Sequence, residues 1–194
     1  MKERMFIQKA KDLVSLEEFI RKQFDGAKCG RIEIQYTPIV TRIIVHTVTP
    51  GLVVGSGGER ILKASRLLKE KFNLKDPQID VQKIENQYLD PYIMAQSIVM
   101  AIEDGTNYKR IGTYYISKIM NSGAIGCEIV ISGKFSGQRA RRERFTAGYL
   151  KKCGDPAEKD VAKGFAVAST KLGSTGVLVS IMVRRGDIAE KLKM

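Results

Sequence analysis

Apolar positions along this chain fall into two rhythms, one helical and one alternating, and the changes between them mark its elements. Leu16, Phe19, Ile20 and Phe24 recur at helical spacing. Ser15 and Glu18 stand where a capping box satisfies free helix donors, with Val14 and Phe19 at the staple positions. The spacing predicts a helix from 16 to about 25. Residues 1–13 are basic and polar with little periodicity and read as an extended arm or a poorly formed helix start. Arg31 to Tyr36 alternates strictly, Thr37-Pro38 turns the chain, and Thr41 to Thr49 returns as a second, β-branched strand. Ile61, Ala64, Leu68 and Phe72, with Leu67 beside them, restore the helical period. Pro77 ends that region, and Ile79 and Val81 alternate with Asp80 and Gln82 in a third strand. Residues 14–85 therefore read as one domain of order α-β-β-α-β, with a glycine-rich loop before its second helix.

Periodicity lapses around Glu85 to Asp90, so 86–90 reads as a linker. Asp90-Pro91 is a helix start, with Asp as cap and Pro in the first turn. Ile93, Met94, Ile98, Ala101 and Ile102 continue one face until Gly105 stops it. A second helix runs from about Tyr108 to Asn121, with Ile111, Tyr115 and Ile119 inward and Gly123 beyond its end. From Ala124 the period shortens. Ile125, Cys127, Ile129 and Ile131 alternate with smaller or polar neighbours, one face packed on the two helices. Gly133 to Arg144 reads as a glycine-interrupted, arginine-rich connection, Phe145 to Leu150 as a strand and Gly154 to Asp160 as a polar loop. Phe165, Val167 and Ser169, then Val177, Val179, Ile181 and Val183, flank Leu172 to Gly176 as a hairpin. Residues 91–184 thus form a second α+β domain of two helices and about four strands, and 185–194 a charged tail. The whole chain is α+β.

Candidate chemistry starts at Gly55-Ser56-Gly57-Gly58. Five residues after Gly51 stands Ser56, with no Gly-Lys-Ser/Thr following, so a Walker loop is excluded. A dinucleotide fingerprint from Gly55 would need glycine where Arg60 stands. What remains is a G-x-x-G loop opening a helix whose outer face carries Arg60, Lys63, Arg66, Lys69 and Lys71. Glycines let a nucleic-acid backbone approach closely, and amides at a helix start favour phosphate. The arrangement resembles a KH domain, whose G-x-x-G loop clamps about four nucleotides of single strand. With the extra helix on the N-terminal side, the resemblance implies the type II topology. Gly55, Ser56, Gly57, Gly58, Arg60 and Lys63 are the expected RNA contacts there. The loop is a modest binder, because Ser56 and Gly57 are uncharged and Glu59 repels phosphate.

Charge sharpens that reading. The net charge is +12 and the pI near 9.7, which points to a polyanion. Residues 134–152 hold seven basic side chains against one acidic, nearly the whole excess of the second half. Four arginines in six positions, Arg139, Arg141, Arg142 and Arg144, cannot all be buried without as many partners. With Lys134 they are expected on phosphates. Three distant cysteines and the single His46 give no metal-ligand spacing or disulfide framework, and no cofactor is expected. The apolar runs are too short to span a membrane, and the N-terminus lacks a secretory pattern; a cytoplasmic setting fits. Scattered carboxylates, and no lysine in an apolar stretch, argue against a DNA-repair lyase or endonuclease, which with a free KH-type RNA regulator is the alternative function.

Asn121-Ser-Gly-Ala-Ile-Gly-Cys-Glu-Ile-Val-Ile-Ser-Gly-Lys134, followed by Gly137-Gln-Arg-Ala140, resembles the C-terminal domain of the universal small-subunit ribosomal protein S-three family. The similarity runs from about Val14 to Val183; the Gly-Cys-Glu and Gly-Gln-Arg-Ala wording resembles archaeal and eukaryotic members more than bacterial ones, and the short tail is more like archaeal ones. The resemblance implies a non-enzymatic constituent of the small-subunit head. Its partners would be the 3′ major domain of small-subunit rRNA, neighbouring head proteins and messenger RNA at its entry channel. Counting back from Ser122-Gly123, Lys109 and Arg110 align with the basic pair that lines this channel in the family.

Overall fold

The computed structural model describes residues 2–183 except Asp25, Pro38, Ile39, Asn73, Lys75, Ser136 and Gln138. The side chains of Lys2, Glu3 and Lys9 are also left undescribed. The chain divides into two compact units, Met1–Glu85 and Asn86–Met194. The expected tail, 185–194, lies outside the described residues.

In the first unit, helix α1 (Lys2–Gln23) leads to strands β1 (Cys29–Tyr36) and β2 (Thr41–Thr47). Helix α2 (Pro50–Val54), a tight turn over Ser56–Gly58 and helix α3 (Glu59–Phe72) then cross over to β3 (Pro77–Lys83). The sheet order is β1-β2-β3, the first pair antiparallel and the second parallel. A parallel pair needs a long crossover, and α2, the glycine turn and α3 supply it. Leu16 and Ile20 of α1, Phe24 just beyond its end, Ile43 and Val45 of β2, and Ala64 and Leu68 of α3 form one core.

Two expectations fail in this unit. Of the two readings of residues 1–13 the extended arm is wrong for the described residues: from Lys2 they are the start of α1, well formed, and Ser15 lies inside the helix rather than capping it. The residues before Ser15 contain no glycine or proline. Once Leu16, Ile20 and Phe24 are packed, extending the helix adds one hydrogen bond per residue fixed. The periodicity was faint there because Met5, Phe6, Ile7 and Val14 are exposed. Helix α2 is also additional: the glycine loop lies between two helices, not between strand and helix.

In the second unit, a 3-10 turn at Gln87–Leu89 precedes α4 (Pro91–Glu103) and α5 (Tyr108–Asn121). Asp90 Oδ1 accepts from the Tyr92 and Ile93 amides at 2.9 and 3.3 Å, fixing the start of α4 where the sequence placed it. Strands β4 (Gly126–Gly133), β5 (Arg141–Gly148), β6 (Val161–Thr170) and β7 (Gly173–Met182) form an antiparallel sheet of order β5-β4-β7-β6. Cys127, Ile129, Ile131, Val177, Val179 and Ile181 are buried along one face of the two central strands, as the alternation predicts. Burial raises the Cys127 thiol to about 11, the behaviour of an inert core thiol.

Two further expectations change. The arginine-rich stretch is not all connection, since β5 begins at Arg141, and the loop at 154–160 contains a short helix, α6 (Asp155–Lys159). Alternation is hard to see in β5 because Arg141 and Glu143, on the face of Ile129 and Ile131, are charged like their outward neighbours Arg142 and Arg144, leaving no apolar period at its start.

Two glycines set the helix-to-sheet spacing. A Cβ on Gly164 of β6 would lie 2.4 Å from the Pro91 carbonyl carbon at the start of α4. A Cβ on Gly112 of α5 would lie 2.6 Å from the Phe145 ring of β5. Gly112→Ala should therefore destabilise the fold by about 1–3 kcal/mol through overpacking, although alanine is the better helix former. Chemical unfolding of Gly112→Ala, Phe145→Leu and the double variant checks this. The double variant should recover part of the loss, and strict additivity would contradict the contact.

Candidate nucleic-acid interface

The glycine turn of the first unit is built from conformations that other residues rarely adopt. Gly55 has φ 74° and ψ −177°, Gly57 has φ 61° and Gly58 has φ 81°. The Gly55 amide donates to the Gly51 carbonyl at 2.9 Å and closes α2. Arg60 then folds back: its Nη1 donates to the Leu52 carbonyl at 2.8 Å, and its stem would sit 2.9 Å from a Cβ on Gly55. The arginine thus fastens the turn to α2 and leaves a guanidinium beside it. Ser56 and Gly57 are exposed, and Lys63 and Arg66 stand exposed on α3 without an acidic partner among the described residues. Lys69 and Lys71 are engaged locally, Lys69 with Asp76 at 2.9 Å and Lys71 over the Phe19 ring at 4.6 Å. The hydrogen bond and charge of Lys69 hold the Asp76 carboxyl below its usual range. Leu52 and Leu62 are exposed on either side of the turn in sequence, an apolar flank that periodicity did not single out.

In the second unit, Lys109 and Arg110 occupy the first turn of α5 and are exposed. A carboxylate would suit the positive end of the helix dipole better. Here the free amide of Lys109 is satisfied at 3.0 Å by the Asn107 side chain, so capping needs no acid. The Tyr108 ring meets the Phe135 ring at 4.5 Å between centroids, which ties the loop after Lys134 to the start of α5. With Gly112 seated on Phe145, this brings Lys134 and the beginning of β5 to the same end of the helix as Lys109 and Arg110. One turn further along, Tyr114 is exposed, with Lys118 Nζ 5.5 Å from its ring centre. Its neighbour Tyr115 is anchored by donating to the Ser97 carbonyl, and burial raises its pKa.

The four arginines do not form one cluster. Arg139, Arg141, Arg142 and Arg144 are all exposed, as is Lys134. Strand pleating nonetheless divides them. Arg142 and Arg144 pair in register with Ser132 and Val130, while Arg141 pairs with Gly133 on the face of Ile129 and Ile131. Arg144 Nε also lies 2.9 Å from Glu128 Oε1, and Lys152 Nζ reaches the same oxygen at 3.3 Å. Part of the charge on that strand is thereby balanced within the fold. This pairing joins positions far apart in sequence, and charge counting alone could not find it.

Among the described residues there is no group of three His, Cys, Asp or Glu side chains able to hold a metal ion. No helix there is long and apolar enough to cross a membrane.

Comparison with known proteins matches residues 15–88 to the KH domain family and residues 98–181 to the family described as "Ribosomal protein S3, C-terminal domain". The chain is 41% identical over 182 residues to "Small ribosomal subunit protein uS3" of Methanocaldococcus jannaschii, covering 94% of this chain and 88% of that protein. Proteins of the same name from Methanoculleus marisnigri and Methanoregula boonei are each 37% identical over 180 residues. They cover 93% of this chain and 77% and 78% of their own lengths.

The turn geometry predicts a ranking within its glycines. Gly55→Ala should lower the unfolding free energy by about 1–3 kcal/mol, because φ 74° with ψ −177° is essentially closed to other residues. Gly57→Ala should cost less, since its φ 61° and ψ 18° lie in the left-handed helical region and nothing lies within 4 Å of an added Cβ. Denaturant midpoints for the two variants decide it, and an equal or smaller loss at Gly55 contradicts the ranking.

Proposed function

Because the chain belongs to the uS3 family of small ribosomal subunit proteins, we propose that it is a constituent of the small-subunit head that holds rRNA and guides messenger RNA into its entry channel. The family is structural and non-enzymatic, which sets aside the repair-enzyme reading. On this reading the rRNA partner is the 3′ major domain, and the other partners are messenger RNA and neighbouring head proteins. The setting is the ribosome of the cytoplasm.

One observation carries the messenger role. Lys109 and Arg110 are exposed cations in the first turn of a helix that an asparagine already caps. Each sits against the helix dipole at a cost of about 0.3–1 kcal/mol, reduced by solvent, and the fold gains nothing from them there. A polyanion outside the chain supplies the missing favourable interaction. The pair would hold the phosphates of a single strand as it is drawn in and oppose re-pairing of a downstream hairpin, with no bond made or broken.

Lys134, Arg139, Arg141, Arg142 and Arg144 serve the rRNA on this reading. Arg139 and Arg142 have no ion-pair partner among the described residues, whereas Arg144 shares its charge with Glu128. Gly55, Ser56, Gly57, Gly58, Arg60 and Lys63 form the weaker KH contact, in which backbone approach matters more than charge. Affinity from such contacts scales with the phosphates neutralised, and selectivity follows RNA shape rather than base edges.

The test is Lys109→Glu/Arg110→Glu, assembled into small subunits and assayed on messages with and without a stable downstream hairpin. Assembly should be normal and messenger retention should fall several-fold, as for two exposed charge contacts of about 0.2–1 kcal/mol each. The defect should be larger on the structured message. Equal behaviour on both messages, with assembly intact, removes the messenger assignment.

A further inference from the structure

Register divides the sheet of the second unit into two unlike faces. One packs on α4 and α5: Ala168 of β6 and Val177 and Val179 of β7 on that face are fully buried. On the other, Phe165 and Val167 of β6 remain 56% and 53% exposed. Phe165 pairs with Leu178, and Val167 with Gly176, so the three apolar side chains adjoin. The Phe165 ring lies 3.3 Å from where a Cβ on Gly176 would sit, so it lies across β7 instead of standing into solvent. Towards Val161 and Met182 the same face is already buried, and the uncovered part is the end around Phe165. Arg142 and Arg144 of β5 share this face at the far edge, and Lys163 of β6 flanks Phe165 on its own strand.

A contiguous apolar patch within a polar rim marks a docking surface, and its rim states the charge of what docks. Two classes of occupant could meet an arginine-edged sheet. A single-stranded RNA would need several aromatic rings to stack its bases. Phe165 is the one aromatic ring among the described residues of this face; its apolar neighbours are aliphatic, and Arg144 is held by Glu128. Aliphatic surface gains by burial against other apolar side chains, not against phosphates.

Resting on the reading that the chain is assembled into small subunits, we infer that the sheet face around Phe165, Val167 and Leu178 docks a neighbouring protein of the particle. The partner's contact surface is apolar at its centre and carries carboxylates opposite Lys163, while Arg142 at the far edge of the face stays with the rRNA.

The experiment places a benzophenone amino acid at Val167 of the full chain, assembles it into small subunits, purifies the particles and irradiates them. The expected product is one adduct that survives nuclease and is lost to protease, with an apolar, Asp/Glu-flanked partner peptide identified by mass spectrometry. Lys163→Glu in the same chain should reduce the adduct yield several-fold. An adduct to RNA overturns the inference, as does the absence of any adduct in particles that contain the chain. An undiminished yield with Lys163→Glu overturns the acidic rim. Absence of the chain from the particles would overturn the functional reading, and this inference with it.

Discussion

The contact on which the second unit depends is the seating of α5 on β5, where Gly112 leaves room for the Phe145 ring. Glycine inside a helix costs about 1 kcal/mol relative to alanine, and the close approach it permits offsets that cost. The consequence reaches beyond packing. The start of α5 is pinned by the Asn107 cap and by Tyr108 against Phe135, so Lys109 and Arg110 project from a rigid base beside the strand that begins at Arg141. A pinned backbone lowers the cost of holding phosphates, since less has to be ordered on binding.

Much of this was legible in the sequence, wherever local chemistry and tertiary packing agree. Helix α5 has the expected span, and α4 starts at the expected cap, because Asp90-Pro91 and the apolar faces act within a few residues. The two central strands, which bury Cys127, Ile129 and Ile131 beside their cross-strand partners Ile181, Val179 and Val177 on one face, show their alternation directly. The failures have physical causes. The first half of α1 is helical by propagation from a packed second half and displays its apolar residues to solvent, so no buried period exists to read. Helices α2 and α6 have only five residues each, too few to register a 3.6-residue period.

The candidate site was legible in its residue types and illegible in its arrangement. Counting charges locates the basic stretch, but only the register of β4 with β5 separates Arg141 from Arg142 and Arg144. Glu128 balances two cations from different segments, which depends wholly on the fold. Similarly, the G-x-x-G spacing identifies the turn, while Arg60 reaching back to the Leu52 carbonyl explains how a turn with three positive-φ glycines stays defined. On the proposed reading both units offer RNA exposed cations carried on backbone that internal contacts hold, and neither requires a reactive side chain. That is the physical content of a positioning role.

The most direct test of this account is where the chain sediments when a cell lysate is resolved on a sucrose gradient after a high-salt wash. On the proposed reading, contacts spread over two units together with the inferred protein docking keep the chain in the small-subunit peak at one copy per particle, even though high salt weakens the phosphate contacts of a chain of net charge +12. Recovery of the chain in the slowly sedimenting fractions, with small subunits lacking it, would contradict the account.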